Sequence, residues 1–199
     1  MDYELKFQFK PYQNHFKQPL RTSHGIWQVR EGIIISLEDS TGNIALGEIA
    51  PLSWFGSETM TEAVDFCQGL GDAIAAEDIL YISDRLQACQ FAFESAWLAL
   101  SQSKGQCDLL EQDLDYCYLL PAGEKALTAW EKIYQAKANS TFKWKIGVYS
   151  LSEEIAILKQ LVNAFPSHIK LRLDANGGLN LEQAKTLLAV TDTLNAIEF

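Results

Sequence analysis

Lys143 and Lys145 stand two residues apart in the stretch Thr141-Phe142-Lys143-Trp144-Lys145-Ile146-Gly147. Side chains of a β-strand alternate between its faces, so the two ammonium groups share one face while Phe142, Trp144 and Ile146 share the other. Each ammonium raises the cost of charging its neighbour and so favours a neutral amine able to accept a proton. Such a face must meet water, an anion or a metal-bound substrate, and the chemistry it suits is proton abstraction. Taken alone, the stretch equally fits an edge strand whose lysines are solvated.

A second stretch bears on that choice. Ile169-Lys170-Leu171-Arg172-Leu173-Asp174 alternates in the same way, with Lys170, Arg172 and Asp174 on one face, and runs into the turn signal Ala175-Asn176-Gly177-Gly178. Two successive strands thus put apolar residues on one side and ionisable residues on the other. In a (β/α)8 barrel the outer strand faces pack on helices and the carboxyl ends of the strands build the active site. Lys143, Lys145 and Asp174 all lie near such ends.

The elements that must position these residues follow from periodicity. Leu5 to Lys10 reads as a strand stopping at Pro11, and Tyr12 to Ile26, which has no convincing period, reads as a mobile loop. A hairpin follows, Glu31 to Asp39 returning from Ile44 to Ile49 around Ser40-Thr41-Gly42-Asn43. The loop Gly47–Thr59 carries Trp54 and Phe55, rings suited either to line a pocket or to pin the loop to the core. Helices are predicted from Ser57 or Thr59 to Leu70, from Ser83 to Leu100 and from Glu124 to Ala138, with a short strand from Tyr116 to Leu120. From residue 141 onward strands alternate with helices, capped at Ser150 or Ser152 and starting near Asn180, until Asn195–Phe199 opens another strand.

Composition limits what the chain does. Its 199 residues are 48% hydrophobic, enough for a packed core. A net charge of −10 argues against a nucleic-acid or anionic-membrane partner. Cys67, Cys89, Cys107 and Cys117 form no CxxC or CxxH pair and read as free thiols of a reducing cytosol, and no apolar run of membrane-spanning length occurs. A cytoplasmic location is expected. His15 and His24 read as solvated loop residues, with substrate contact the alternative for His24; His168 reads as structural and the acidic run Glu111–Asp115 as solvated surface.

The Gly47-Glu48-Ile49-Ala50-Pro51-Leu52 loop, the Lys143-Trp144-Lys145 strand and the Leu173-Asp174-Ala175-Asn176 strand end, in this order, resemble the enolase superfamily. Within it the chain resembles the o-succinylbenzoate synthase branch of cyanobacterial or plastid type, over essentially its whole length. The fold this implies is α/β: an α+β capping domain, residues 1–115, followed by the first strands and helices of a (β/α)8 barrel, residues 116–199, incomplete after about three strands. The resemblance implies Lys145 as the acid/base and Lys143 as the catalytic lysine that tunes it and meets the substrate carboxylate. It also implies Asp174 as the first Mg²⁺ ligand, Asn176 as a substrate-binding polar residue beside it, and closure over the substrate by the loops around Arg21–Gly25 and Pro51–Glu58.

The implied reaction is Mg²⁺-assisted removal of a proton α to a carboxylate and dehydration of 2-succinyl-6-hydroxy-2,4-cyclohexadiene-1-carboxylate to o-succinylbenzoate, in menaquinone or phylloquinone biosynthesis. Dipeptide epimerase or N-acylamino acid racemase chemistry uses the same lysine strand and is the alternative enzyme reading; a non-catalytic half-barrel that binds a partner is the other. The family pattern places the second metal ligand directly before an acidic or amide residue and Pro, whereas Glu198 precedes Phe199, so Glu198 is not assigned as that ligand. The remaining carboxylates, the opposing lysine and the rest of the barrel are expected from later residues of the same chain or from a complementary one. The 199 residues alone are expected to be inactive or nearly so.

Overall fold

The structure, a computed structural model, describes residues 4–102, 116–137 and 141–199. The chain divides into two compact units, one of Met1–Pro19 with Gln28–Glu111 and the other of Leu20–Trp27 with Gln112–Phe199. Cys107 and the acidic run Glu111–Asp115 lie outside the described residues.

Four strands form one sheet in the order β3-β2-β1-β4, and all of it but the Leu20–Trp27 ends of β1 and β2 belongs to the first unit: β1 (Glu4–Thr22), β2 (Gly25–Glu38), β3 (Ile44–Ile49) and β4 (Ala73–Ala75). The alternation Ile33, Ile35, Leu37 becomes the buried face of β2, while Ile34 between them is exposed. Two helices, α1 (Met60–Gly69) and α2 (Gln87–Gln102), cover that face and place Cys67, Cys89, Phe93 and Ala96 in the core. At Gly47 of β3 a Cβ would land on the Ala92 carbonyl, so only glycine lets α2 lie this close to the strand. Asp39 fixes the hairpin turn: its carboxylate accepts from the Thr41 hydroxyl at 2.5 Å, from the Thr41 N–H at 2.8 Å and from Asn43.

Two sequence expectations change here. The 12–26 segment is not a loop; it is the far half of β1 and the start of β2, turning at Ser23–His24. Most of its side chains are exposed on both faces, so no hydrophobic alternation marks it, and backbone pairing rather than burial sets its register. Pro11 and Pro19 fit because β4 pairs only with Glu4–Lys6, leaving the rest of β1 a single described neighbour. The helix predicted from Ser83 starts at Gln87, because the buried Glu58 carboxylate accepts from the N–H groups of Ala88 at 3.0 Å and Cys89 at 2.8 Å and so fixes its first turn.

The second unit holds a parallel sheet in the order β5-β6-β7, of β5 (Tyr118–Leu120), β6 (Thr141–Lys145) and β7 (Lys170–Asp174). Between and after them run α3 (Ala126–Lys137), α4 (Leu151–Ala164) and α5 (Leu181–Thr191). Phe142, Trp144 and Ile146 are buried with Leu158, Leu161 and Leu171, as the alternation required. The Trp144 indole N–H donates to the Pro121 carbonyl at 3.1 Å, satisfying the polar atom of the largest core side chain. Beyond α5, Ile197 makes a parallel bridge to Leu171, and the N–H groups of Leu171 and Leu173 donate to Ala196 and Phe199 at 2.8 Å each. A further parallel strand therefore begins there. This is the strand–helix rhythm of an incomplete (β/α)8 barrel. Among the described residues no helix is long and apolar enough to cross a membrane.

Candidate active site

Lys145 is the last residue of β6 and Asp174 the last of β7, and the parallel register sets them side by side. Two register positions earlier Lys143 lies beside Arg172. The fold thus brings the predicted residues to one face at the carboxyl ends of two neighbouring strands. Lys143 reaches diagonally across the register, its Nζ 2.6 Å from Asp174 Oδ2. The other carboxylate oxygen, Oδ1, accepts the Asn176 N–H at 2.9 Å. Burial pushes the Asp174 carboxyl up, but the Lys143 ammonium, the Asn176 N–H and the charge of Lys145 outweigh it and hold the group below its ordinary value.

Asn176 adopts a left-handed backbone conformation, φ 46°, which asparagine tolerates and most side chains do not. The kink turns its N–H back to Asp174 and leaves its carbonyl facing the β1–β2 turn, where His24 Nε2 lies at 3.4 Å. That turn is part of this unit. Ser23 packs so closely on Gly178 that a Cβ there would come within 2.7 Å of it, and the Arg21 guanidinium sits 4.8 Å from the centre of the Tyr149 ring. Tyr149 belongs to the loop after β6, which also carries Gly147 in a left-handed conformation, φ 76°.

Glu154 is a site-shaping residue that strand and helix periodicity did not single out. Its buried carboxylate accepts three backbone N–H groups, from Gly147 at 2.7 Å, Val148 at 2.9 Å and Tyr149 at 3.0 Å. Ser150 and Glu153 form the capping box of α4, which commits Glu153 and leaves Glu154 a second carboxylate facing the loop.

Glu198 lies beside the same face but is engaged by Arg172, whose Nε donates to its Oε2 at 2.7 Å and whose Nη2 donates to Oε1 at 3.3 Å. Magnesium takes near-octahedral oxygen coordination, with one or two carboxylates and several waters in most sites. Asp174 supplies an ionised oxygen donor for such a shell. Among the described residues no three His, Cys, Asp or Glu side chains gather as a metal-binding group. The donors present fit one corner of a magnesium site and do not complete it.

A cavity of about 350 Å³ in the first unit is lined by Ser57, Glu58, Glu62 and Arg85, but Glu58 and Glu62 are taken up by capping α2 and α1. Trp54 and Phe55 are 42% and 56% exposed and pack edge-to-face on each other. His168 is exposed, its Nε2 3.3 Å from the Tyr134 hydroxyl.

The chain is 40% identical over 188 residues to an o-succinylbenzoate synthase of Thermosynechococcus vestitus, an alignment that takes in 94% of this chain and 57% of that protein. It superposes on the crystal structure of o-succinylbenzoate synthase from Thermosynechococcus elongatus BP-1, complexed with Mg in its active site, with a TM-score of 0.80. That match has 40% identity and covers 98% of this chain and 60% of the other. A dipeptide epimerase from Cytophaga hutchinsonii superposes with a TM-score of 0.76 at 22% identity, over 96% of this chain and 56% of the epimerase, which shows a shared fold. No protein-family model matches. The chain spans less than two thirds of the length of these relatives. In sequence and in fold the chain is similar to the o-succinylbenzoate synthases over the part of them that it matches.

Proposed function

We propose that this chain carries the proton-abstracting part of an o-succinylbenzoate synthase-type lyase acting in the cytoplasm on a small-molecule carboxylate. The observation that carries the proposal is the register pairing of Lys145 with Asp174 at adjacent parallel strand ends, with Lys143 bridged to the same carboxylate. Lys145 takes the proton α to the substrate carboxylate. The hydroxyl on the neighbouring carbon leaves as water, and the cyclohexadiene of 2-succinyl-6-hydroxy-2,4-cyclohexadiene-1-carboxylate becomes the aromatic ring of o-succinylbenzoate. Atoms balance in this elimination, and aromatisation drives it.

Each residue has a share. Lys145 serves as the base at the end of β6, and Lys143 lies on the same strand face two residues before it. Lys143 also keeps Asp174 ionised and oriented. Asn176, kinked beside Asp174, completes the polar rim that would meet the substrate. Magnesium, when bound with Asp174 among its ligands, offsets the negative charge that proton removal puts on the substrate carboxylate. The remaining carboxylate ligands, the opposing lysine and the rest of the barrel come in this reading from residues beyond the 199, in the same chain or a complementary one.

A chimera tests it: the Thermosynechococcus vestitus synthase with its matched segment replaced by this chain. It is expected to dehydrate the cyclohexadiene substrate and to lose that activity on chelation of Mg²⁺. It is also expected not to exchange the α-proton of dipeptides or N-acylamino acids for deuterium in D₂O. A folded chimera that exchanged those protons and left the cyclohexadiene untouched would replace this reading with racemase or epimerase chemistry.

A further inference from the structure

The loop after β6 is held by one buried side chain and in turn touches the β1–β2 turn. Glu154, 2% exposed, accepts three consecutive N–H groups from Gly147 to Tyr149, which fixes where the Tyr149 ring stands. The ring lies against Gly123, whose φ is 70° and where a Cβ would come within 2.7 Å of it. On this ring rests the guanidinium of Arg21, 4.8 Å from the ring centre. Ser23 and His24, next along the turn, touch Gly178 and Asn176 in the loop after β7. The turn is therefore seated on the two loops that follow the strands carrying Lys145 and Asp174.

We infer that Glu154 is a positioning residue for the β1–β2 turn. It locks Tyr149 as the platform on which Arg21 docks, so that the turn stands ready over the strand ends before substrate arrives. A preset loop costs a ligand less ordering than one that must be fixed on binding. The consequence for substrate binding rests on the reading of these strand ends as the active site; the docking itself does not.

Amide hydrogen exchange of the 199-residue chain, followed by mass spectrometry, tests the docking without substrate. Tyr149→Ala removes the platform, and Tyr149→Phe keeps the ring while removing the hydroxyl. Glu154→Gln replaces one acceptor oxygen by a donor facing an N–H. Peptides covering residues 20–27 are expected to exchange about tenfold faster in Tyr149→Ala and Glu154→Gln, the size of effect a single cation–π contact supplies. Tyr149→Phe is expected to exchange like the parent, and peptides of α4 and of the first unit serve as the control for folding. Unchanged exchange at 20–27 in Tyr149→Ala overturns the inference, as does Tyr149→Phe behaving like Tyr149→Ala. Should Glu154→Gln loosen α4 itself, the two Tyr149 variants still decide.

In the chimera, Tyr149→Ala is expected to raise KM about tenfold with kcat largely kept, because uniform binding is lost while the base is untouched. An inactive parent chimera would count against the proposed reaction and leave the exchange result standing. A fall in kcat alone would count against a docking role.

Discussion

Asp174 is the residue on which the charges of the strand ends balance. Its carboxylate faces a cation at 2.6 Å and accepts one backbone N–H, and these interactions outweigh the effect of burial. Lys143 keeps 41% of its side chain in water, so the pair adds little to stability, about 1 kcal/mol at most; its value lies in holding the carboxylate ionised and aimed. The thiols show the opposite balance. Burial pushes the Cys67 thiol up to about 12, and burial followed by the nearby Glu58 carboxylate pushes Cys89 up as well. Both lie fully inside the first unit and stay protonated at neutral pH. Iodoacetamide is therefore expected to modify Cys67 and Cys89 only after denaturation, with peptide mapping as the readout. Labelling of either in the folded protein at pH 7.5 at the rate of a free thiol would contradict the packing of α1 and α2 described above.

Elements in this chain are set by patterns of two kinds, one readable in sequence and one not. The buried alternation at Ile33, Ile35 and Leu37, and at Phe142, Trp144 and Ile146, marked β2 and β6 because one face had to leave water. Capping boxes did the same for helix starts: Thr59 with Glu62 in α1, Ser150 with Glu153 in α4 and Asn180 with Gln183 in α5. The ribbon from Tyr12 to Ile26 carried no such mark, since both of its faces are largely exposed, and the three-residue β4 was too short to show a period. The start of α2 was hidden for another reason. Its cap is Glu58, 31 residues before Cys89, and no local window contains both partners. Glu58→Ala is expected to destabilise the protein by about 2 kcal/mol, since two N–H groups at the head of a helix lose a charged acceptor. Chemical denaturation measures it. A change below about 0.5 kcal/mol, the size of a surface substitution, would mean that water replaces the carboxylate at no cost.

At the scale of the whole chain, the candidate site was readable as far as its residues come from strands with one buried face. Lys143, Lys145 and Asp174 declared themselves by alternation and by their place at strand ends. Glu154 and Tyr149 did not, because their roles depend on where a loop folds back. Among the described residues no three metal-ligating side chains gather, for a physical reason. Three parallel strands and one bridging residue present one ionised carboxylate beside the two lysines, and Glu198 is engaged by Arg172. A barrel site draws its ligands from several strand ends. The chain matches 57% of the length of its Thermosynechococcus vestitus relative.

The central claim is that Lys145 removes the proton, and the turnover of the chimera with Lys145→Ala tests it most directly. A positioned general base contributes about 10²- to 10⁴-fold, so kcat for dehydration is expected to fall by about 10³-fold while the circular dichroism spectrum and Mg²⁺ binding stay those of the parent. Turnover within tenfold of the parent, in a protein that folds and binds Mg²⁺ normally, would show that Lys145 is not the base and would return this lysine strand to the solvated reading.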